Sequence, residues 1–581
     1  MKILLVGINA RYTHTNLAIR RLRAAAEGRA ETVELAEYTI NMPCEHILDD
    51  ILKRGADAVG FSVYIWNSSI VLSLMKELRR AGMRVFAGGP EATFSYEEFI
   101  GYSDCIIYGE GENAFPQVLD WLNGTRRIED TASVYYMRDG KVRVTPAAAP
   151  VDMETLPEPY GLSEKHTDRS RVIYYESSRG CPFSCSYCLS GRGEKLRSSS
   201  AEKVEKDMAR YISSGIRHVK FVDRTFNADR KRAKRIWSFI AGLDGECEFH
   251  FEIAADLLDD ESVGIINTAP EKRIRLEIGV QSVNMDTLKA VGRSQDVGHI
   301  RDMTAGLRKG NAVVHLDLIA GLPYEDLISF RDSLDTVMSF GADEVQLGFL
   351  KLLKGSRLYD EAEKYGIECS KEPPYEVIST RWLSHDDIAL LKKAEYLLGR
   401  IYNSGLFRNT MRYLAGGGRE TVPLVSGMPV YEGSYFDALI RIDGFAKASG
   451  KEVGGMGETE LARLLLDFGM SEGLVRTRDI LRYDMLKKKR RPFLPEELED
   501  GISDMKKDYF RRHPELPGLR KGKRPWHFAR VEEFMTDVTR YEKEGVLDGI
   551  PTVLLFDYIN QRVSYLRDKT ADSPCESDMI E

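Results

Sequence analysis

The hydrophobic positions of the chain form two successive series in which short apolar runs alternate with amphipathic stretches. In the first series the predicted strands are Lys2–Ile8, Thr32–Tyr38, Ala58–Tyr64, Arg84–Gly88 and Asp104–Tyr108. Helices are expected from about Thr15, Ser69 and Ala114, and a hairpin around Asp139 and Gly140 ends the series. This alternation predicts an α/β domain over residues 1–145, built on a doubly wound, Rossmann-like parallel sheet.

A second alternating series covers residues 171–360, after a linker at 146–170 that is rich in Ala and Pro. Its predicted strands are Val172–Ser177, His218–Asp223, Phe249–Ala254, Arg273–Gln281, Val313–Gly321 and Glu344–Leu350. Six strand–helix units predict an incomplete (βα)6 barrel rather than an eightfold one, with ligands at the carboxyl ends of the strands. From residue 361 to 581 the pattern becomes mainly α-helical, with a strand and a short helix expected over Thr552–Val563.

Composition narrows the class of protein. The net charge of −8, from 82 basic and 90 acidic residues, argues against nucleic acid as a general partner. The local basic residues Lys487–Arg491, Arg511, Arg512 and Arg520–Arg524 are interpreted as solvated surface. No apolar run is long enough to predict a membrane span. Most of the eight cysteines are scattered without a paired framework, which favours a reducing cytoplasm.

Three cysteines form the most specific motif. Cys181, Cys185 and Cys188 lie in a CxxxCxxC segment, here called the cysteine loop (residues 180–188). Three thiolates within eight residues are typical of a cubane iron–sulfur cluster in which one iron needs another ligand. The alternatives are a structural zinc site, which would require a fourth Cys or His nearby, and three unrelated buried thiols.

The cysteine loop resembles the signature of the radical S-adenosylmethionine (SAM) enzymes. The resemblance implies a [4Fe–4S] cluster on the three cysteines, SAM on the open iron, and reductive cleavage of SAM to a 5′-deoxyadenosyl radical. It also implies a reductant such as flavodoxin or ferredoxin. Tyr187, just before the third cysteine, could reach over the bound group.

Other barrel segments extend this resemblance to SAM binding. Asp223, at the end of the second strand, could fix the methionine amino group or neighbouring backbone. Glu252 is on the third strand, while Glu277 and Gln281 are on the fourth, whose segment lines the adenosyl group by resemblance. The alternative for Glu277 is an ordinary ion pair with Arg275, two positions away on the same face.

The loops after the first-domain strands resemble those of the cobalamin-binding domain found ahead of many radical SAM barrels. No GxGxxG follows the first strand, so the dinucleotide fingerprint is absent. Gly88, Gly89, Gly109 and Glu110 belong to loops where backbone could approach a bulky ligand. Ser62 could bind a nucleotide tail, although glycines after strands are also common in ordinary turns.

His14 poses a separate question. Many corrinoid enzymes carry DxHxxG after the first strand, with the His on cobalt, and this chain has Tyr12-Thr13-His14-Thr15-Asn16-Leu17. The His is present, but the Asp that would orient it and the Gly are absent. Cobalt ligation and a nearby hydrogen-bonding role therefore both remain open.

Together these features predict a cobalamin-dependent radical SAM enzyme that transfers a methyl group to an unactivated centre. Its substrate is expected to be a small molecule or peptide rather than RNA. Radical rearrangement or cyclisation is the first alternative, and a non-catalytic corrinoid or redox sensor is the second. Methylthiolation of RNA is disfavoured because enzymes of that family carry an N-terminal cluster domain with three cysteines of its own. Here only Cys44 and Cys105 precede the barrel.

Overall fold

The computed structural model describes residues 1–29, 32–161, 171–191, 195–416, 433–488, 494–499, 529–547, 549–558 and 561–565. Part of the predicted linker and the basic residues between 489 and 524 lie outside these ranges. The chain divides into two compact units, one of residues 1–329 and 348–388 and one of residues 330–347 and 389–581.

A seven-stranded sheet organises the N-terminal domain. Its strands are β1 (Lys2–Asn9), β2 (Thr32–Thr39), β3 (Ala58–Ser62), β4 (Arg84–Gly88), β5 (Cys105–Ile107), β6 (Val134–Arg138) and β7 (Lys141–Val144). Their order is β2-β1-β3-β4-β5-β6-β7, and only the last two pairings are antiparallel. The doubly wound parallel sheet is confirmed, and the predicted hairpin extends it at one edge.

Burial explains why these segments form central strands. Residues 3–9 of β1 and all of β3 are buried, as expected when helices cover both faces of a parallel sheet. The helices are Leu17–Ala25, Cys44–Lys53, Ser68–Arg80, Pro90–Phe94, Tyr96–Phe99 and Phe115–Leu122. Three of these were predicted, and Cys44–Lys53 was missed because only Ile47 and Ile51 mark its buried face.

The barrel sheet contains β8 (Ile173–Tyr175), β11 (His218–Phe221), β12 (Glu248–Ile253), β13 (Ile274–Gln281), β14 (Val313–Ala320) and β15 (Glu344–Phe349). Between β8 and β11, β9 (Ser178–Arg179) pairs with β10 (Arg197–Ser198) in a separate antiparallel ladder. The six strands lie in the order β15-β14-β13-β12-β11-β8, which confirms the incomplete barrel. The helices are Ala201–Ser213, Arg230–Ala241, Asp260–Asn267, Met285–Ala290, Val297–Leu307 and Leu327–Ser339.

Alternation along the barrel strands separates their two faces. In β13 and β14, buried apolar residues alternate strictly with half-buried ones. The half-buried set includes Glu277, Gln281, His315 and Asp317, so polar side chains share one face of the sheet. The register places Glu252, Glu277 and His315 side by side on β12, β13 and β14.

The first barrel strand is shorter than predicted. Val172–Ser177 was expected, but β8 ends at Tyr175. Ser177 is instead tied to Asp223, and Ser178 and Arg179 pair with β10, so the chain leaves the barrel sheet just before the cysteine loop.

The described part of the C-terminal unit is mainly helical, as predicted. After the barrel helix Leu327–Ser339, the helices are His385–Ile401, Arg408–Ala415, Tyr435–Ala448, Glu458–Ser471, Thr477–Lys488 and Val538–Glu544. The strands of this unit are β18 (Ala529–Phe534), β19 (Thr552–Asp557) and β20 (Arg562–Tyr565). These three form an antiparallel sheet, so the short helix expected after Thr552 is wrong: a second strand begins at Arg562. The helix Arg357–Asp360 and the strands β16 (Glu368–Cys369) and β17 (Val377–Ser379) belong to the unit that contains residues 1–329.

Two further observations bear on the sequence predictions. Within the described ranges, the helices include none that is both long and apolar enough to cross a membrane. The seven cysteines that the structure describes are all free thiols.

Gly89 offers a test of the N-terminal domain. Its φ of +109° is strained for other residues, and an added Cβ would lie 2.5 Å from the carbonyl oxygen of Val63. Gly89→Ala should therefore lower the free energy of unfolding by about 1–3 kcal/mol, measured by urea denaturation. Gly101→Ala is the matched control, because its φ is not positive and its Cβ would meet nothing within 4 Å. Equal stability of the two variants would contradict this account.

Candidate functional site

A cavity of about 880 Å³ lies between the N-terminal domain and the barrel, within one compact unit. The N-terminal domain contributes His14, Ser62, Tyr64, Trp66, Gly88, Gly89, Gly109, Glu110 and Glu112 to its lining, among others. The barrel and its first loop contribute Gly180, Leu189, Ser190, Lys220, Arg224 and Glu252. The carboxyl ends of two parallel sheets therefore border one space.

The cysteine loop is fastened to the barrel through its middle. Ser186 is buried; its N–H donates to the carbonyl of Val291 at 2.8 Å, and its carbonyl accepts from the N–H of Leu358 at 2.8 Å. Cys185 is buried, while Cys181 and Cys188 are half-buried. The Cys181 Sγ lies 3.4 Å from the Thr225 hydroxyl. The residues flanking the loop border the cavity, although the three cysteines do not line it.

Arg293 and Tyr187 surround the central cysteine. The Arg293 Nη1 donates a hydrogen bond to the Cys185 Sγ at 3.7 Å. Tyr187 is half-buried beside both, and burial raises its pKa. Tyr187 belongs to the cysteine loop and does not line the cavity, and its reach over a bound group stays a prediction.

A charged row crosses the half-buried face of the barrel sheet. The Lys220 Nζ donates to Glu277 at 2.9 Å and lies 3.7 Å from Glu252. The His250 Nε2 is 2.8 Å from the same Glu277 carboxylate. Arg275, two positions before Glu277, pairs with Glu248 at 3.4 Å.

The two glutamates of this row differ in acidity. Burial alone would raise the pKa of Glu277, but His250 and Lys220 outweigh it and lower the pKa to about 2. Burial raises the pKa of Glu252, and the neighbouring Glu277 adds to that shift. Glu252 and Lys220 line the cavity, whereas Glu277 does not. Through its contacts with both glutamates, Lys220 connects the cavity wall to the barrel interior.

Asp223 points away from the cavity. Its fully buried carboxylate accepts from the Ser177 N–H at 3.2 Å, from the Ser177 hydroxyl at 2.9 Å and from the Ser178 hydroxyl. Burial raises its pKa to about 6, although these hydrogen bonds oppose the shift. Of the two roles predicted for Asp223, these contacts fit the fixing of neighbouring backbone, ahead of the cysteine loop.

Gln281 has an unusual conformation at the end of β13. Its φ is +69°, and the register of β13 with β14 shifts between Gly279 and Gln281. Its Oε1 is buried without a hydrogen-bond partner in the described structure. An unsatisfied buried acceptor is costly without a ligand, so this position fits a residue that binds one.

The predicted residues of the N-terminal domain all border the cavity, for different local reasons. Ser62 is buried and accepts from the Asn16 side chain at 3.1 Å. Gly89 is required by its φ and by the close carbonyl of Val63, so its local packing already explains that glycine. Gly109 also has a positive φ, +70°, but an added Cβ there would meet nothing within 4 Å.

His14 lies where the N-terminal domain meets the first barrel strand. It forms an isolated parallel bridge with Val172, and its ring contacts Tyr174 edge-on, with 5.5 Å between centroids. Burial lowers the pKa of His14, and the charges of Arg11 and Lys220 lower it further. A neutral imidazole at the cavity wall is compatible with both roles, and cobalt ligation stays a prediction.

Glu110 belongs to an ionic network rather than standing free in the cavity. It accepts from the Val151 N–H at 2.7 Å and pairs with Arg197 and, at 3.5 Å, with Arg179. Arg179 also binds Glu112 and Glu176. The charge of Arg179 helps to keep the pKa of Glu112 low, although burial opposes this.

Sequence reasoning missed Arg179, Glu112, Lys220 and Arg293. Arg179 lies directly before the cysteine loop, and Glu112 lies two residues after Glu110, in a segment that the sequence analysis had considered. A buried arginine needs carboxylate partners, and Glu110 and Glu112 were available there. Lys220 was also detectable, as a charge within the alternating strand His218–Phe221.

Family models match three parts of the chain. Residues 3–119 match the B12 binding domain, residues 175–337 match the radical SAM superfamily, and residues 363–556 match a protein family of unknown function, DUF4080. The chain joins a B12-binding domain to a radical SAM domain. The cavity described above lies between these two domains, and the cysteine loop is in the second.

Two curated relatives match part of this chain at low identity. The cobalamin-dependent radical SAM methyltransferase TokK of Streptomyces tokunonensis is 26% identical over 402 residues, covering 63% of this chain and 58% of TokK. The 2-(S-pantetheinyl)-carbapenam-3-carboxylate methyltransferase of Streptantibioticus cattleyicolor is 26% identical over 378 residues, with 59% and 54% covered. The chain thus spans less than two thirds of either relative.

Solved structures show the same fold. TsrM from Kitasatospora setae, a radical SAM methyltransferase with cobalamin and a [4Fe–4S] cluster bound, matches with a TM-score of 0.53 and 16% identity, covering 64% of this chain and 78% of TsrM. The cobalamin-dependent SAM radical enzyme OxsB, with aqua-cobalamin and SAM bound, matches with a TM-score of 0.56 and 14% identity. That match covers 82% of this chain and 80% of OxsB.

The low pKa of Glu277 makes a pH-dependent prediction. Because its folded pKa of about 2 lies below the ordinary value of 4.5, its ion pairs stabilise the fold above pH 4.5 and lose that effect as the pH falls toward 2. Glu277→Gln should therefore destabilise the protein at pH 7, and its deficit relative to the wild type should shrink at pH 3.5 in urea titrations. Glu246→Gln, at a side chain that is 89% exposed, should show little deficit at either pH. A deficit for Glu277→Gln that does not change with pH would contradict the assignment.

Proposed function

We propose that this protein is a cobalamin-dependent radical SAM methyltransferase. The observation that carries the proposal is the single cavity bordered by the strand ends of the B12-binding domain and of the radical SAM domain. A reaction that uses both cofactors requires their reactive groups to reach one substrate, and a shared cavity meets that requirement.

The spacing of the three cysteines supports a cluster. Among the residues that the structure describes, no group of three or more His, Cys, Asp and Glu side chains converges as a single metal ion would require. A [4Fe–4S] cluster makes no such demand, because each thiolate binds a different iron. Cys181, Cys185 and Cys188 would be its ligands, with Arg293 donating a hydrogen bond to the sulfur of Cys185.

The remaining site residues would hold the other two cofactors. When bound, SAM on the cluster supplies a 5′-deoxyadenosyl radical, and the corrinoid supplies the methyl group. Glu252, Glu277 and Gln281 would orient SAM, for which the unsatisfied Oε1 of Gln281 is the best-supported contact. Tyr187 would shield the loop, and Asp223 would hold Ser177 and Ser178 in place.

On the other side of the cavity, Ser62, Gly88, Gly89, Gly109 and Glu110 would hold the cobalamin, beside His14. The proposal includes an electron-donor protein such as flavodoxin or ferredoxin, a small-molecule or peptide substrate, and a cytoplasmic location. The relatives named above support small-molecule methylation, because one of them is a carbapenam carboxylate methyltransferase.

Cofactor content tests the proposal directly. After anaerobic reconstitution with iron, sulfide and hydroxocobalamin, the wild type should retain a cluster and a corrinoid and should convert SAM to 5′-deoxyadenosine under reduction. Cys185→Ala should abolish that conversion, whereas Cys247→Ala should leave it intact, because Cys247 is a buried thiol outside the loop. Failure to bind corrinoid would remove the methyltransferase assignment, and unchanged SAM cleavage by Cys185→Ala would remove the cluster assignment.

Methyl transfer is separated from its nearest alternative by isotope labelling. A partial relative, the anaerobic magnesium-protoporphyrin IX monomethyl ester cyclase of Rubrivivax gelatinosus, is 27% identical over 179 residues, which makes cyclisation the second candidate. With SAM labelled in its methyl group, a methyltransferase should place the label in a product detected by mass spectrometry. A product without label, formed together with 5′-deoxyadenosine, would favour rearrangement or cyclisation.

A further inference from the structure

Arg179 occupies a junction between the two domains that border the cavity. It is the last residue of β9 and stands two residues before Cys181, separated from it only by Gly180. Gly180 has a φ of +89°, so the chain turns sharply immediately after Arg179. Arg179 is therefore the last side chain that can anchor the cysteine loop before its first cysteine.

Two carboxylates bind Arg179 in a forked manner. Glu176, of the barrel, accepts from Nε at 2.9 Å and from Nη2 at 2.8 Å. Glu112, of the B12-binding domain, accepts from Nη1 at 3.1 Å and also from Nη2. The side chains of Arg179, Glu112 and Glu176 are 16%, 9% and 18% exposed, so water competes little for these bonds. Only a planar guanidinium can bridge two carboxylates in this way.

The surrounding charges argue against an electrostatic role. Arg179, Arg197 and Arg21 face Glu110, Glu112 and Glu176, so three cations meet three carboxylates and the positive charge of Arg179 is balanced within this group. An arginine neutralised in this way contributes geometry rather than a net field at the nearby thiolates.

We propose that Arg179 is a positioning residue that fixes the start of the cysteine loop relative to the B12-binding domain. By holding Glu112 and Glu176 together, it sets the distance between the loop that carries the cluster ligands and the domain that borders the other side of the cavity. This inference rests on the proposed function and adds to it the residue that aligns the two cofactors.

The test uses the anaerobically reconstituted full-length protein and its variants Arg179→Gln, Arg179→Lys and Glu112→Gln. SAM affinity is read from the SAM-induced change in the electron paramagnetic resonance spectrum of the reduced cluster, together with iron and sulfide content. We expect normal cluster content and at least a tenfold weaker SAM affinity in all three variants, because a lysine cannot bridge both carboxylates.

Glu37→Gln is the matched control. Glu37 is a similarly buried carboxylate, 11% exposed, that pairs with Arg171, two residues before the first barrel strand, and has no contact with the cysteine loop among the described residues. It should retain wild-type SAM affinity. An equal loss in Glu37→Gln and Glu112→Gln would overturn the proposal, since any tie between the domains would then have the same effect.

The midpoint potential of the cluster separates position from charge. Arg179→Gln removes a positive charge and Glu112→Gln removes a negative one, so an electrostatic role predicts shifts in opposite directions. A positioning role predicts that both variants weaken SAM binding in the same direction. Opposite potential shifts with unchanged SAM affinity would overturn the proposal. If Arg179→Gln fails to fold, Glu112→Gln and Arg179→Lys decide the outcome. A wild type that takes up no cluster would instead count against the proposed function.

Discussion

The whole architecture depends on the parallel alignment of strands within each of two sheets. Parallel strands all end at the same edge, so the loops that carry functional residues collect on one side of each sheet. In this protein the two functional edges border the same cavity. Either domain could acquire a new chemistry without a change of fold. The position of the strand ends of one domain relative to those of the other would decide which chemistry the cavity supports.

Charged side chains from both domains lie partly buried around this cavity. The barrel face near the cavity carries Lys220, Glu252 and Glu277, and the opposite wall carries Glu110 and Glu112. Isolated charges in such places would be costly, so each is paired with a partner from another strand or from the other domain. The pairs of Lys220 lie within the barrel, whereas those of Glu110 and Glu112 with Arg179 and Arg197 join the two domains.

The sequence alone predicted the sheet organisation well because strand burial is a local signal. The prediction of Lys2–Ile8 as a strand differs from the observed β1 by one residue, and the cysteine loop was recognised from spacing alone. Partners such as Arg179 and Glu112 are 67 residues apart, and no local pattern indicates which charges will meet. Asp223 shows the same limit: it was predicted as the last residue of a strand that ends two residues earlier, at Phe221, and only the folded chain shows that it binds Ser177 and Ser178.

The backbone at Gln281 has a consequence for how stability and activity are balanced. A left-handed conformation costs a residue with a Cβ about 1–2 kcal/mol, a cost that glycine avoids. The chain nevertheless has a glutamine there, and its side-chain oxygen has no hydrogen-bond partner among the residues that the structure describes. The backbone at residue 281 is therefore less stable with glutamine than it would be with glycine. Glycine, however, would lack the side-chain amide that glutamine provides.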